Sequence, residues 1–138
     1  MKRFYVDTNI WLDFALDRKD SIRPLGEFAF QFFKKCIRNR WIVIYSNLVL
    51  RELSKQMEPE EINERCFSIV SEENLLRKVS FSEEQGEEAK AICKRLKVPF
   101  ADAVHAVIAR DENATLISRG THFGPLSEII SVALPEEI

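Results

Sequence analysis

A single three-layer α/β/α domain with a central parallel sheet, spanning residues 1–138, is the architecture this sequence predicts. Three observations predict it. Short β-branched and aromatic runs alternate with amphipathic helical patterns, which is how strands joined by helical crossovers read. The strand runs are apolar enough for a sheet covered by helices on both faces. The chain has 138 residues, 46% of them hydrophobic, which is enough for one ordinary core and too little for two.

The elements follow in order. Arg3 to Val6 is a short buried strand that stops at Asp7. Ile10 to Ala15 is a brief helical turn carrying Ile10, Trp11, Phe14 and Ala15. Pro24 stands where a helix begins, and Phe28, Phe32, Phe33, Cys36 and Ile37 recur at helical spacing towards Asn39. Trp41 to Tyr45 is a second buried strand. Ser46 or Asn47 can cap the next helix, which carries Leu48, Val49, Leu50, Leu53 and Met57. Pro59 opens another, with Ile62, Cys66, Ile69 and Val70. Leu75 to Phe81 is the weakest pattern, a short strand around Val79. Ser82 to Gln85 has the form of a capping box ahead of a helix reaching Leu96, and Val98-Pro99 breaks that helix. Ala101 to Ala109 is a helix almost without polar residues, which places it deep in the fold. Ala114 to Ser118 is a strand, Gly120 turns the chain, and Ile129 to Leu134 is the final strand.

Composition narrows the function. Net charge is −2, with acids and bases in separate clusters that fit solvated helix ends better than a dedicated nucleic-acid patch. No apolar run approaches the roughly 20 residues that span a bilayer. The N-terminus reads as a core strand, with no signal peptide. The three cysteines, Cys36, Cys66 and Cys93, are too widely spaced for a zinc site and suit a reducing compartment. A soluble cytoplasmic protein is the expectation. No Gly-rich phosphate loop occurs, which argues against ATP or GTP use.

A parallel sheet carries its site in the crevice beyond the carboxyl ends of its strands. Three acids fall there. Asp7 follows the first strand, Glu52 lies early in the helix after the second, and Asp102 begins the apolar helix. Each has a plainer reading: Asp7 and Asp102 as helix caps, Glu52 as a solvated helix residue. Ionised carboxylates beside apolar elements are costly unless paired or metal-bound, and Mg²⁺ or Mn²⁺ prefers carboxylate oxygens with water. His105 reads as a satisfied core residue and His122 as a structural turn residue. The Phe28, Phe32, Phe33 set reads as core, and Trp11 as either core or partner-facing.

Val6-Asp7-Thr8-Asn9-Ile10, Leu48-Val49-Leu50-Arg51-Glu52-Leu53, Asp102-Ala103-Val104-His105-Ala106 and Leu116-Ile117-Ser118-Arg119-Gly120-Thr121-His122-Phe123, in that order, resemble the PIN domain across essentially the whole chain. The resemblance implies a Mg²⁺- or Mn²⁺-dependent endoribonuclease, leaving 5′-phosphate and 3′-hydroxyl ends. Such proteins are often the toxin half of a VapBC-type toxin–antitoxin pair, and the resemblance also implies a homodimer. It puts Asp7, Glu52 and Asp102 in the metal-binding and catalytic roles. Thr8 or Asn9 would order water or the scissile phosphate, with Ser118 at the rim of the site. Arg18, Lys19, Arg23 and Arg119 are candidates for RNA backbone contacts. Where the family usually has a fourth acid, this sequence has Gly120, so Ser118, Thr121 or a water would have to fill that role. Two alternatives stand beside the nuclease. One is a non-catalytic PIN-like module binding RNA or a protein. The other, much weaker, is a phospho-acceptor domain with Asp7 as acceptor.

Overall fold

The computed structural model describes residues 2–138. Its centre is one five-stranded sheet in the order β3-β2-β1-β4-β5. The strands are β1 (Arg3–Val6), β2 (Ile42–Ser46), β3 (Leu76–Val79), β4 (Thr115–Ile117) and β5 (Val132–Ala133). Every pairing is parallel; Tyr5 on β1 lies between Ile44 on β2 and Leu116 on β4. The helices are α1 (Thr8–Ala15), α2 (Leu25–Asn39), α3 (Asn47–Leu53), α4 (Pro59–Ile62), α5 (Ser68–Ser71), α6 (Glu83–Leu96) and α7 (Phe100–Asp111). A π-helical segment, Asn63–Phe67, joins α4 to α5. The three-layer parallel architecture expected from the sequence is therefore the one found.

The connections explain the layers. The chain runs β1 to β2 to β3 outwards in one direction, then returns past β1 to β4. Right-handed crossovers put the helices of the outward path on one face and those of the return path on the other. Accordingly α1 packs on α2 and α3, while α6 packs on α7. The reversal leaves a switch point between β1 and β4, at whose carboxyl ends stand Asp7 and Ser118.

Aromatic packing fixes the first face. Trp11 is fully buried, stacks on Phe33 with ring centres 4.8 Å apart, and meets Phe67 edge-on at 5.0 Å. Its indole N–H donates to the Val6 carbonyl (3.1 Å), so the ring is satisfied as well as buried. Trp11 is thus core and offers nothing to a partner. Cys36 and Cys66 are buried free thiols in the same region, and Cys93 is half-buried.

Boundaries moved where local hydrogen bonds compete with the apolar pattern. The helix expected to carry Leu48 through Met57 ends at Leu53, with Ser54 as its C-cap; the Ser54 amide and hydroxyl both donate to the Leu50 carbonyl (2.9 and 2.7 Å). The strand expected from Ile129 to Leu134 pairs only over Val132–Ala133, because Gly124-Pro125 starts a 3₁₀ turn through Glu128. The Ser82–Gln85 capping box is present, with both reciprocal bonds made.

Candidate metal centre

The site is built from strand ends and helix starts. β1 stops at Asp7, whose extended backbone caps α1: its Oδ1 accepts from the Thr8 amide (2.8 Å). Its other oxygen, Oδ2, accepts from the Ser118 hydroxyl (2.7 Å), which in turn accepts from the Gly120 amide (2.9 Å). The cap reading of Asp7 is therefore borne out, and the same carboxylate lines a cavity. Ser46 ends β2 and caps α3 through the Val49 amide, which sets Glu52 facing inwards. Glu52 Oε1 accepts from the Thr8 hydroxyl (2.8 Å) and lies 3.0 Å from His105 Nε2.

Asp7, Glu52 and Asp102 line one cavity of about 250 Å³, together with Thr8, Asn9, Leu12, Lys55, Gln56 and His105. The tightest donor group is not the three acids. Among the described residues, ligand atoms of Asp7, Glu52 and His105 lie within 4.8 Å of one another, and Asp102 sits outside that group. Asp102 is also less buried than its apolar helix suggested, being half-exposed at the third position of α7.

His105 is the residue whose neighbours the sequence reading did not anticipate. It is satisfied and buried, as expected, at 1% exposure. Yet its Nε2 faces the acids, 3.7 Å from Asp7 Oδ1, while Nδ1 is 2.7 Å from the Tyr5 hydroxyl. The available signal was spacing: His105 is three residues after Asp102, on the same helix face. The other expected positions divide. Thr8 and Asn9 line the cavity. Ser118 is not at the rim but buried behind Asp7, and Thr121 is exposed and absent from the cavity wall. His122 is exposed rather than packed in its turn.

Charge follows the geometry. Burial pushes the Glu52 carboxyl up, but the hydrogen bond and charge of His105 and the Thr8 hydroxyl outweigh it, leaving its pKa below the usual carboxylate range. Burial raises the pKa of Asp102, and the neighbouring charge of Asp7 adds to the rise. For His105 burial opposes the charged ring, yet Glu52, Asp7 and Asp102 prevail and raise its pKa. Two carboxylates and an imidazole nitrogen converging on a polar cavity are a donor set that fits a divalent ion.

The fourth-acid position is filled by other means. A Cβ on Gly120 would lie 2.8 Å from Phe123 Cε2, 2.9 Å from its Cδ2 and 3.2 Å from Ser118 Oγ. Phe123 is buried, so its ring closes the space an acid would enter. A larger cavity, about 650 Å³, lies beyond Ser118 along β5, but Glu137 is the one acid lining it and nothing converges there. The basic residues proposed for RNA are partly engaged. Arg119 is held by Glu136 and lies 3.5 Å from buried Asp13; Arg18 also pairs with Asp13, and Arg23 with Asp20. Lys19 is exposed.

The PIN domain family model matches residues 4–128. The chain belongs to the PIN domain family. A comparison with curated proteins gives no match. Solved structures share the fold over nearly whole chains. A toxin–antitoxin complex from Klebsiella pneumoniae is 20% identical, with TM-score 0.65 and all of both chains covered. VapBC2 of Rickettsia felis, bound to a promoter DNA fragment, is 19% identical with TM-score 0.63, covering 96% of this chain and 98% of that one. VapC20 of Mycobacterium tuberculosis, a toxin that cleaves the sarcin–ricin loop, is 17% identical with TM-score 0.64, covering 94% and 98%. At these identities the likeness is one of fold. PIN membership leaves no place for the phospho-acceptor alternative. Among the described residues no helix is long and apolar enough to cross a membrane.

Proposed function

We propose that residues 1–138 act as one PIN nuclease domain, a metal-dependent endoribonuclease cutting phosphodiester bonds in single-stranded or looped RNA. The observation that carries this reading is the convergence of Asp7, Glu52 and Asp102, from three distant segments, on one cavity at the switch point of the sheet. A bound Mg²⁺ or Mn²⁺ would supply an activated water and offset the charge that develops on phosphate oxygens.

The chain's own residues do the rest. Asp7 holds its carboxylate fixed between the Thr8 amide and the Ser118 hydroxyl, so an ion meets it preorganised. Glu52 has its depressed pKa and remains ionised at neutral pH, able to accept the proton of an attacking water. Asn9, exposed on the cavity wall, would contact the scissile phosphate. An antitoxin partner, a homodimer and a cytoplasmic location complete the proposal. The Klebsiella relative, itself a toxin–antitoxin complex, supports the first.

A second reading, a PIN module that binds RNA or protein without cutting, is favoured by the Phe123 ring that closes the Gly120 position. The deciding test incubates purified protein with a pool of structured RNAs in Mg²⁺, Mn²⁺ or EDTA, alongside Asp7→Asn and Asp102→Asn. The nuclease reading expects metal-dependent cleavage that both substitutions abolish. A folded wild type that leaves every RNA intact in both metals would overturn it in favour of the binding module.

A further inference from the structure

We infer that His105 is itself a metal ligand, and that its nitrogen makes the centre selective for Mn²⁺ and the later first-row ions over Mg²⁺. The inference rests on the metal-dependent reading above and concerns which ion the site takes.

The geometry comes first. Neighbouring ligands around a six-coordinate ion with bonds of about 2.1 Å stand roughly 3 Å apart. His105 Nε2 lies 3.0 Å from Glu52 Oε1 and 3.7 Å from Asp7 Oδ1, on the wall of the same cavity. Asp102 belongs to that wall but not to the convergent group. The innermost donors are therefore two oxygens and one nitrogen.

A ligating imidazole must present a lone pair, and something behind the ring must hold its other N–H. The Tyr5 hydroxyl stands there, 2.7 Å from Nδ1 and 2.6 Å from Ser46 Oγ. It can accept from Nδ1–H while donating to Ser46, so an ion that displaces the proton Nε2 shares with Glu52 would meet a lone pair facing the acids. A core histidine needs only satisfaction; this one has a fixed ring, a backing donor–acceptor on Nδ1 and an Nε2 set between two carboxylates. Imidazole suits Mn²⁺ poorly compared with Zn²⁺ or Co²⁺ but far better than it suits Mg²⁺, which keeps to oxygen.

The test needs no RNA. Mn²⁺ is titrated into the full chain and free aqueous Mn²⁺ is followed by electron paramagnetic resonance, with Mg²⁺ as competitor. Pulsed measurements on the bound ion then look for ¹⁴N coupling. The inference expects directly coordinated nitrogen and Mn²⁺ held about 100-fold more tightly than Mg²⁺. His105→Asn should remove the nitrogen signal and collapse the preference. Tyr5→Phe, which keeps the ring and its fold, should weaken Mn²⁺ by about 10–100-fold and leave Mg²⁺ little changed. Bound Mn²⁺ without nitrogen coupling, no Mn²⁺ binding, or equal competition by Mg²⁺ would each overturn it, and all three are read on the wild type. Nitrogen-ligated Mn²⁺ in a protein that cuts no RNA would sink the nuclease reading alone. Cleavage on Mg²⁺ with an all-oxygen Mn²⁺ site would sink only this inference.

Discussion

Restoring a side chain at Gly120 is the perturbation whose outcome the packing specifies most closely. Gly120 has no left-handed backbone, so alanine there meets no conformational penalty. Reduced freedom of the unfolded chain alone would stabilise Gly120→Ala by about 0.4–1 kcal/mol. Against this, the new Cβ would stand 2.8 and 2.9 Å from two ring carbons of Phe123. Those carbons belong to a ring 3% exposed and packed in the core, so the ring cannot swing into solvent. Overpacking of this kind costs about 1–3 kcal/mol, which outweighs the entropic gain. The net expectation is a loss of about 1–2 kcal/mol, or roughly 3–8 °C in melting temperature for a chain of this length. Urea denaturation of wild type, Gly120→Ala, Phe123→Leu and the double variant measures it. Trimming the ring should recover most of the loss, giving a coupling energy of about 1 kcal/mol between the positions. A Gly120→Ala protein as stable as wild type, or costs that simply add, would refute the account of why the fourth acid is absent. Gly120→Asp should then fail to gain activity unless Phe123 is reduced with it.

Other outcomes follow from the same contacts. Asp102→Asn should raise the melting temperature in EDTA at neutral pH. The Asp102 pKa is raised, so its ionised form costs stability above that pKa, and the advantage should fade as pH falls and Asp102 takes up its proton. Arg119→Met should destabilise by about 3 kcal/mol, since it strips one partner from buried Asp13 and both hydrogen bonds from Glu136. Burial pushes Glu136 up, yet Arg119 holds it below the usual carboxylate range. Its contribution is therefore complete above about pH 5 and lost on acidification, and the variant's acid limb should be shallower in a pH series of melts. The salt dependence of RNA binding should not change in Arg119→Met, because that guanidinium already serves Glu136. Trp11→Ala should cost about 3–5 kcal/mol in chemical denaturation, as a fully buried ring with its N–H satisfied is removed.

The sheet and its direction were legible because β1 and β2 are dense in β-branched and aromatic residues and the helices between strands keep helical spacing. Asp7, Glu52 and Asp102 were legible because strand ends and helix starts are where a parallel sheet keeps its site. The place of His105 was not. An imidazole in an apolar helix looks the same in sequence whether its ring faces Leu or carboxylate, and only the Tyr5–Ser46 pair from two other strands decides it. Ser118 was expected at the rim for a similar reason: the depth of a residue just past β4 depends on how closely β1 lies beside it. The role of Arg119 was hidden by distance, since its partners Asp13 and Glu136 come from opposite ends of the chain.

The bond from Ser118 to Asp7 also has a consequence in time. It joins residues 111 positions apart, and the Asp7 amide donates to Ile117 across the same seam. During synthesis β1 emerges first, and β2 can cover one of its edges early. The other edge waits for β4, which at about 5–20 residues per second comes roughly 5–20 s later. Until then Asp7 has no Ser118 to orient it, and the cavity lacks the wall that α7 supplies. A nascent chain on the ribosome thus carries the acids but not the centre, which comes into being only as the last strands leave the tunnel.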